Sequence, residues 1–598
     1  MNWIVHFIIS AMILAAAIIA VVYRVKKEIK RHKLLNNFNI LFLGVAVCAF
    51  FLFMPYYYNA SATDLKSLHA VQVSFYSVLR TFTLDGDYAF FLENTAAGGN
   101  AFNTIYQTFA LGVMVVAPFF TFGVVLSFFK DVKAFYRYFI QRNKVTYVFS
   151  ELNERAVVLA KDLSGKESVV VFTGVNAQTE ADEELLNQVE DFGAICFKKD
   201  IHSIRLGLER WTKKTYFFVM GSDDGENLRS TLKLIESYRN REDTLVYLFS
   251  TSVESGLVLA SADKGKMTVR RVDEIRSLVN RFLYDEGAIL FDSAKQSENG
   301  EKQISAVIVG LGQYGSIMLR TLSWFCQMPG YKLKITAFDK DEKAETKLAY
   351  HAPEMMARES RGVFGHGVPG YDIYIHSGID TNTSEFVDII AKQKDATYVF
   401  VALGSDEENV KAAADLRMRF ERMHIKPEII TVVYDSEKKA ILEKIENHTH
   451  QTYDIKFIGD INSSYTEKVI IHSALEKAAL GSHMAWGGAS EDEFWDVEYN
   501  YRSSIATELH KMAKQHCGVM PVTKPEAELT TEDKIEIIRQ GDLEHRRWFA
   551  YMRSEGFVYS GSEDPSSRNN LAKTHHNMVP TQRLSDEDLN KDIRVNKA

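Results

Sequence analysis

The chain has 598 residues, a formal net charge of -8, 46% hydrophobic and 25% charged residues. Acidic and basic residues are interspersed and form no basic stripe, which argues against nucleic acid as a main partner. The four cysteines, Cys48, Cys196, Cys326 and Cys517, lack the spacing of metal ligands or of a disulfide framework, so neither a metal site nor disulfides are expected.

Three apolar segments near the N-terminus carry no charged residue. They cover residues 4–23, 40–58 and 105–129. Each is long enough to cross ~30 Å of hydrocarbon as a helix, which predicts three transmembrane helices within a membrane domain of residues 1–143. The alternative for the first segment is a cleaved signal peptide, but no basic stretch precedes it and no small-residue cleavage pattern follows it.

Basic residues indicate how these helices are oriented. Six lysines and arginines lie within residues 24–33 and five within residues 130–144, whereas the loop between the second and third segments holds more acidic than basic residues. Because basic residues collect on the cytoplasmic side, the N-terminus is expected outside and the C-terminal domains in the cytoplasm. The predicted location is the cell (inner) membrane, with several passes.

The loop before the third segment contains a second kind of helix signal. Apolar residues recur at helical spacing up to Phe82, after Thr63 and Asp64, which suit a helix start; the pattern predicts a helix over residues 64–82. One interpretation is a pore helix whose following carboxylates concentrate cations, and the other is a helix on the membrane surface with a plain connector. The candidate pore residues after this helix are Thr83, Asp85, Gly86 and Asp87.

Gly112 and Pro118 interrupt the third apolar segment. A proline removes a backbone hydrogen bond and favours a kink, which suits a gate. The alternative is that both residues are simply common in membrane helices. The order of outer, pore and inner helix resembles two-helix-type potassium channels, with the first segment as an extra helix. The filter signature Thr-Val-Gly-Tyr-Gly is absent, which leaves potassium selectivity open.

A glycine-rich turn stands in the middle of the cytosolic part. Gly310, Gly312 and Gly315 follow a strand pattern at residues 304–309 and precede a helix pattern at 316–325, and Asp339 ends the next strand pattern. Such glycines allow a tight turn, close approach of the backbone to a phosphate, and close helix packing, while the acid commonly holds a ribose hydroxyl. These four residues are the predicted nucleotide contacts.

The same pattern occurs once before. Residues 145–149 form the corresponding strand pattern, but the turn at 150–155 lacks the glycines and Thr173 replaces the acid, which predicts a degenerate site. Residues 215–227 parallel residues 397–409, as expected for a repeated βα unit.

Both copies resemble the TrkA N-terminal type of Rossmann domain, the regulator-of-conductance fold of potassium channels and transporters. The domains are placed at residues 144–296 and 303–485, with a polar link between them. The resemblance implies a cytosolic ring that a ligand reshapes to move the inner helices. No convincing catalytic constellation stands near either copy, so no enzyme is expected.

The last segment, residues 492–598, changes pattern to helices rich in histidine, arginine and tryptophan. It resembles the ryanodine-receptor-type (RyR) repeat domain, a small, mainly α-helical module. An aromatic face beside basic donors suits a nucleotide, but Trp548 also fits a hydrophobic anchor. The candidate ligand residues are His545, Arg547, Trp548, Arg553 and His575.

The predicted fold is therefore an α-helical membrane domain, two α/β Rossmann-like domains and a RyR-type domain. The predicted function is an oligomeric ion channel, tetramer favoured, opened by a nucleotide that is NAD-like, cyclic or otherwise adenine-containing. This order of domains resembles bacterial effectors of nucleotide-signalled antiviral defence that permeabilise the membrane. The competing prediction is a non-conducting, membrane-anchored nucleotide sensor that regulates a separate potassium transporter. Expected partners are the lipid bilayer, the nucleotide and cations.

Overall fold

The computed structural model describes residues 2–27, 38–83, 85, 99–128, 130–176, 178–206, 213–296, 300–357, 367–444, 446, 450–485 and 490–597. The chain divides into two compact units. One comprises Met1–Leu152 and Ser164–Thr215, and the other Asn153–Leu163 and Tyr216–Ala598. These units do not follow the four predicted domains, whose boundaries stay a prediction.

Within the described residues, the N-terminal part of the first unit contains four helices before residue 129. Three of them are long and apolar enough to cross a membrane, over Trp3–Val22, Ile40–Ala60 and Asn100–Thr121, in agreement with the three predicted spans. The fourth, α3, lies between the second and third of these. The four helices are α1 (Trp3–Lys27), α2 (Phe38–Ala60), α3 (Lys66–Phe82) and α4 (Asn100–Phe128).

Aromatic and small residues hold α1, α2 and α4 together. The Tyr106 hydroxyl of α4 donates to the Leu52 carbonyl of α2, and both residues are fully buried. A Cβ atom added to Gly44 of α2 would lie 2.4 Å from the Cβ of Ala17 in α1. The helices thus approach closely at Gly44, as small residues permit in membrane helix pairs.

Replacing Gly44 by Leu is expected to separate α1 from α2, because no side chain fits against Ala17. Overpacking of this kind costs about 1–3 kcal/mol. Thermal unfolding of the full chain in detergent, followed by far-UV circular dichroism, measures the loss. Gly112→Leu is the matched control, since a Cβ at Gly112 meets nothing within 4 Å; equal effects of the two changes would contradict the packing argument.

The first sheet has six strands in the order β3-β2-β1-β4-β5-β6. Its strands are β1 (Val145–Phe149), β2 (Ser168–Phe172), β3 (Ile195–Cys196), β4 (Thr215–Val219), β5 (Thr244–Phe249) and β6 (Thr268–Val272). The helices that precede or alternate with them are α5 (Lys130–Gln141), α6 (Glu154–Leu163), α7 (Glu180–Asp191), α8 (Asp224–Tyr238), α9 (Val253–Ser261), α10 (Glu274–Glu286) and α11 (Ile289–Asp292).

The second sheet repeats this order as β10-β9-β8-β11-β12-β13. A short antiparallel strand, β7, directly precedes the predicted polar link and pairs with β8. The strands are β7 (Lys295–Gln296), β8 (Lys302–Val309), β9 (Tyr331–Asp339), β10 (Asp372–Ser377), β11 (Tyr398–Val401), β12 (Glu428–Val432) and β13 (Ile455–Ile458). The helices are α12 (Gln313–Phe325), α13 (Ala344–His351), α14 (Pro353–Met356), α15 (Ser384–Ile390), α16 (Asp406–Arg422), α17 (Ser436–Leu442), α18 (Ile461–Ser464) and α19 (Glu467–Ile470).

Strands β8 to β13 pair in parallel. The central strand β11 is buried along its whole length, as expected for a parallel sheet covered on both faces. An asparagine supports each copy in the same way. Asn227 in the first copy donates to the Phe249 carbonyl at 3.1 Å, and Asn409 in the second donates to the Val432 carbonyl at 2.9 Å. Since these asparagines occupy matching positions of the repeat, the two copies share internal contacts as well as strand order.

The C-terminal segment is mainly helical. A capping box formed by Thr530 and Asp533 starts its longest helix, α23. Buried residues of this segment, such as Leu509 and Phe549, join the core that underlies α12. The elements are α20 (Ala474–Ala485), α21 (Glu491–Asp496), α22 (Glu498–His516), α23 (Thr531–Ser554), β14 (Val558–Tyr559), β15 (Thr574–His575) and α24 (Asp586–Lys597).

Candidate functional site

Two of the three predicted glycines build the turn between β8 and α12. Gly310 has a φ of +92°, and a Cβ there would lie 2.2 Å from the carbonyl oxygen of Ala402. A Cβ on Gly315 would lie 1.8 Å from the carbonyl oxygen of Gly310. Only glycine fits at either position, so both residues serve the tight turn and the close start of the helix.

Gly312 differs, because a Cβ there would meet nothing within 4 Å. It is the N-cap residue of α12, and no side chain caps the helix. The first backbone N–H groups of a helix have no partner within the helix and attract anions. Gly312 therefore stands at an open helix start, where a phosphate group has room to approach.

Asp339 ends β9, at the carboxyl edge of the sheet. Its Oδ2 accepts a hydrogen bond from the Leu311 N–H at 2.6 Å, and its Oδ1 accepts one from the Asp341 N–H at 2.8 Å. The carboxylate thus stabilises the glycine turn through its hydrogen bond to Leu311. A carboxylate has about four acceptor positions, so two remain for ribose hydroxyls.

An open cleft of about 620 Å³ lies over this edge of the second sheet. We call it the glycine-turn cleft; Gly310, Gly312 and Asp339 are among its lining residues. Carboxylates outnumber cations along its walls, which disfavours ligands that carry many phosphates. The charged lining residues are Asp339, Lys340, Asp380, Glu407, Glu408, Lys411 and Asp415.

A second cleft, of about 580 Å³, is lined by Arg155, Glu274 and Tyr465 among others. We call it the Arg155 cleft. Arg155 replaces the third glycine of the turn and pairs with Glu274 at 2.7 Å, and the Tyr465 hydroxyl donates to the same carboxylate. In the first copy, a protein ion pair therefore occupies the position that corresponds to the glycine turn of the second copy.

The strand-end residue of the first copy, Thr173, is fully buried. Its hydroxyl donates to the Phe149 carbonyl at 2.8 Å. The side chain is thus directed into the sheet, so it offers no acceptor for a ribose. Degeneracy of the first site stays a prediction, and this contact agrees with it.

The two clefts share part of their walls. Gln313, Tyr314 and Tyr434 line both, and the two tyrosine rings meet edge to face with centroids 6.1 Å apart. The Asp406 carboxylate accepts a hydrogen bond from the backbone N–H of Tyr434 at 3.0 Å, which fixes the position of this tyrosine. A ligand that moves these tyrosines would change both clefts together.

In the C-terminal helices, His545 and Arg547 are buried against protein partners. The Nδ1 of His545 lies 3.1 Å from the Asp592 carboxylate, and its Nε2 lies 2.8 Å from the Val579 carbonyl. Burial is the largest single effect and opposes the charged ring, but the hydrogen bond and the charge of Asp592 together with the Val579 carbonyl outweigh it and raise the pKa of His545. Arg547 Nε donates to Glu544 at 3.1 Å.

The other candidate ligand residues of this segment also contact the protein. Arg553 lies 3.6 Å from Glu354, and the His575 ring packs edge-on against Trp548 with centroids 4.9 Å apart. Trp548 is half-buried, and its Nε1 lies 3.4 Å from the Tyr499 hydroxyl. In this state the five side chains serve internal packing, which the aromatic and basic pattern alone does not reveal.

Two buried histidines make this segment sensitive to acid. Burial lowers the pKa of His510 to about 4 and that of His575 to about 3, whereas an unfolded histidine titrates near ~6.5. The unfolded chain therefore binds protons that the folded chain does not, and stability falls as the pH drops from about 6.5 toward 4. His545, with its raised pKa, acts in the opposite direction.

We expect the unfolding temperature of the full chain to fall over this pH range. His510→Gln should reduce the slope, because it removes one of the groups that resist protonation. The same change at His472, whose side chain is 66% exposed, is the matched control. An unfolding temperature that stays constant from pH 6.5 to 4 would contradict the argument.

A cluster of partly buried charges joins the α/β domains to the C-terminal helices. Glu555 accepts from Arg276 of α10 at 2.9 Å and from Arg502 of α22 at 3.2 Å. Arg320 of α12 donates to the carbonyl of the neighbouring Ser554 at 3.4 Å. We call these residues the Glu555 cluster. Sequence reasoning missed it, because Arg276 and Glu555 are 279 positions apart.

In the predicted pore segment, α3 begins two residues later than expected. Its N-cap is Leu65, so Asp64 does not cap it. Its polar residues face inward, where Ser77 lies 2.7 Å from the Tyr57 hydroxyl. Such inverted polarity is typical of helices that contact lipid or another subunit. The exposed large apolar residues of α3 are Leu68, Val71, Phe75, Tyr76 and Leu79.

The turn after α3 contains an internal ion pair. Arg80 contacts both carboxylate oxygens of Asp85, at 3.0 and 3.3 Å. This pairing offsets the charge expected to attract cations. Thr83 caps α3, with its hydroxyl donating to the Arg80 carbonyl. Gly86 and Asp87 lie outside the described residues.

The third span is one unbroken helix. Pro118 lies inside α4 and is buried, whereas Gly112 is exposed. The helix continues to Phe128 beyond the proline. The predicted gate at Pro118 stays a prediction.

Within the part of the chain that the structure describes, no group of three or more His, Cys, Asp or Glu residues is placed to hold a metal ion. None of the four cysteines, all of which lie in the described part of the chain, forms a disulfide. No protein-family model matches the chain, and no curated protein sequence matches it significantly.

Proposed function

We propose that this chain is a subunit of an oligomeric, ligand-gated ion channel whose cytosolic α/β domains bind a nucleotide. One observation carries the proposal: an open glycine turn faces a cleft at the carboxyl edge of a parallel sheet, in a chain with three membrane-length helices. The order of both sheets is the 3-2-1-4-5-6 order of dinucleotide-binding folds, which place their ligand at this edge. On this proposal both sheets are TrkA N-terminal type Rossmann domains, and the C-terminal helices are a RyR-type repeat.

The charge of the glycine-turn cleft supports a particular kind of nucleotide. Five carboxylates and two lysines line it, and these carboxylates accept hydrogen bonds from ribose hydroxyls but repel extra phosphates. An NAD-like dinucleotide or a cyclic nucleotide carries fewer negative charges than a nucleoside triphosphate. The expected ligand is therefore of the first kind, with its phosphate at Gly312 and its ribose at Asp339.

The Glu555 cluster supports a route for the signal. The glycine turn starts α12, and Arg320 on the same helix contacts Ser554 beside Glu555. Glu555 in turn holds Arg276 of the first α/β domain. Movement of α12 on ligand binding would therefore be transmitted through Ser554 and Glu555 to Arg276 of the first α/β domain. A ligand shifts the gate only by its difference in affinity between the closed and open states, so this contact must differ between those states.

The test is ion flux through purified protein in liposomes, with and without NAD, cyclic mononucleotides and cyclic dinucleotides. We expect flux that depends on one of these ligands, which fits an effector that permeabilises the membrane in antiviral defence. The proposed assembly is a homo-oligomer, with a tetramer favoured. A ligand shown to bind that produces no flux would contradict the channel.

The second candidate is a non-conducting membrane anchor with a nucleotide sensor that regulates a separate potassium transporter. The Arg80–Asp85 ion pair favours it, because the carboxylate is already neutralised within its own chain.

Changes on the two sides of this pair distinguish a pore from an anchor. In a pore, Arg80→Gln frees the Asp85 carboxylate and should raise the preference for cations over anions by a few-fold, whereas Asp85→Asn should lower it. Reversal potentials of the reconstituted protein in a salt gradient measure the preference. An anchor would give no conductance in either variant.

A further inference from the structure

Helix α5 follows the third membrane-length helix after a single residue. One side of it packs on the protein. Ala134 and Tyr138 are buried, and Arg137 donates to the Gly193 carbonyl at 3.1 Å. This side fixes α5 to the edge of the first sheet, beside β3.

The opposite side of α5 is apolar and exposed. Phe135, Tyr136, Phe139 and Ile140 are between 49% and 62% exposed. Positions 135 and 139, and positions 136 and 140, are each four residues apart, so the four side chains form one strip along the helix. We call it the α5 aromatic strip. A strip of this kind marks a surface that is covered by lipid or protein.

Basic residues lie at the C-terminal end of the strip. The Arg142 guanidinium lies 3.7 Å from the centroid of the Phe139 ring, and Lys144 follows close to it. Over residues 130–144 the sequence has five basic residues and one acidic residue. An exposed aromatic strip with basic residues beside it is typical of helices that lie in the interface of an anionic membrane.

We propose that α5 lies in the membrane–water interface, with the α5 aromatic strip inserted at the level of the acyl-chain boundary and with Arg142 and Lys144, which follow the helix, at anionic lipid headgroups. The occupant is lipid because α4 ends at Phe128 and α5 starts at Lys130, so α5 begins where a spanning helix leaves the bilayer. The inference rests on the membrane location in the proposed function, and it requires neither conduction nor nucleotide binding. It makes the bilayer surface a direct partner of the first α/β domain.

The test places an environment-sensitive thiol probe on Phe139→Cys in the full chain. Cys196→Ala and Cys517→Ala remove the two native cysteines that are not fully buried. The control is the same probe on Val253→Cys in α9, a residue that is 75% exposed. Both proteins are reconstituted in vesicles of phosphatidylglycerol and phosphatidylcholine, with brominated lipid as the membrane quencher and iodide as the aqueous quencher.

We expect brominated lipid to quench the probe at position 139 several-fold more than the probe at 253, and iodide to show the reverse order. Quenching at 139 by iodide alone would overturn the inference and leave α5 in water. Quenching at 139 by neither agent would also overturn it and place another copy of the chain on the strip.

Flotation of the same vesicles separates this inference from the proposed function. Protein that floats with the vesicles while position 139 is open to iodide contradicts only the interfacial helix. Protein that resists reconstitution and sediments without the vesicles contradicts the membrane location as well. Arg142→Gln with Lys144→Gln should weaken the lipid quenching at 139 in anionic vesicles while leaving flotation unchanged; undiminished quenching would overturn the role of the basic residues.

Discussion

Replacing Gly312 by Asp is expected to abolish nucleotide binding while the protein stays folded. Gly312 is the N-cap of α12 with no side-chain cap, and aspartate is a better N-cap residue than glycine by roughly a few tenths of a kcal/mol, so the change should not unfold the protein. The new carboxylate would accept hydrogen bonds from the N–H groups of the first helical turn, which are the donors that a phosphate needs. It would also add a negative charge to a cleft that already has more acidic than basic groups.

We expect binding to weaken at least about a hundredfold, equivalent to ~2.7 kcal/mol. Isothermal titration with NAD and cyclic nucleotides measures the affinity, and thermal unfolding measures the fold. Gly481→Asp is the matched control, because a Cβ at Gly481 also meets nothing within 4 Å but the residue lies in α20, away from the cleft lining. Equal affinity of Gly312→Asp and the native chain would remove the glycine turn as a phosphate site.

Replacing Glu555 by Gln is expected to destabilise the unit that contains the second sheet and the C-terminal helices. The side chain is 16% exposed and contacts Arg276 and Arg502. Burial alone would raise the pKa of Glu555, but the two guanidinium groups lower it well below the ordinary value. The carboxylate is therefore charged at neutral pH, and its contribution is lost only as the pH falls below the ordinary carboxyl range. Removing one partner of a buried pair leaves the other charges uncompensated and costs about 3–5 kcal/mol.

Denaturant unfolding of the full chain, followed by circular dichroism, tests this value. Glu563→Gln is the control, since Glu563 pairs with Arg583 at the surface, where both side chains are about half exposed. Exposed pairs contribute less than about 1 kcal/mol. A loss for Glu555→Gln no larger than for Glu563→Gln would show that the Glu555 cluster does not join these elements. If the cluster also transmits the signal, nucleotide affinity should survive in Glu555→Gln while ligand-dependent flux decreases.

The local sequence pattern was sufficient to predict those parts of the fold that depend only on residues close together in the chain. The strand at 145–149 and the three apolar helices are where the periodicity placed them. The steric roles of Gly310 and Gly315 also follow from sequence, because a tight turn between a strand and a helix requires residues without a Cβ.

Contacts between distant residues could not be predicted in this way. The apolar stripe of α3 was visible, but only tertiary packing decides that Ser77 faces inward and Phe75 outward. His545 and Trp548 share a helix face in the sequence pattern. The hydrogen-bond partners of the His545 ring, however, are Asp592 and Val579, which lie 47 and 34 positions further along the chain. The bond from the Leu311 N–H to Asp339 depends in the same way on how β9 lies beside β8.

Channel gating by a nucleotide is tested most directly by ion flux through liposomes that contain either the native chain or Gly312→Asp, measured side by side with a nucleotide that the native chain binds. Gating through the glycine-turn cleft requires ligand-dependent flux in the native chain and none in the variant, with both proteins equally folded and incorporated. Flux that is the same in both proteins, or absent from the native chain with ligand bound, would contradict a channel gated through the glycine-turn cleft.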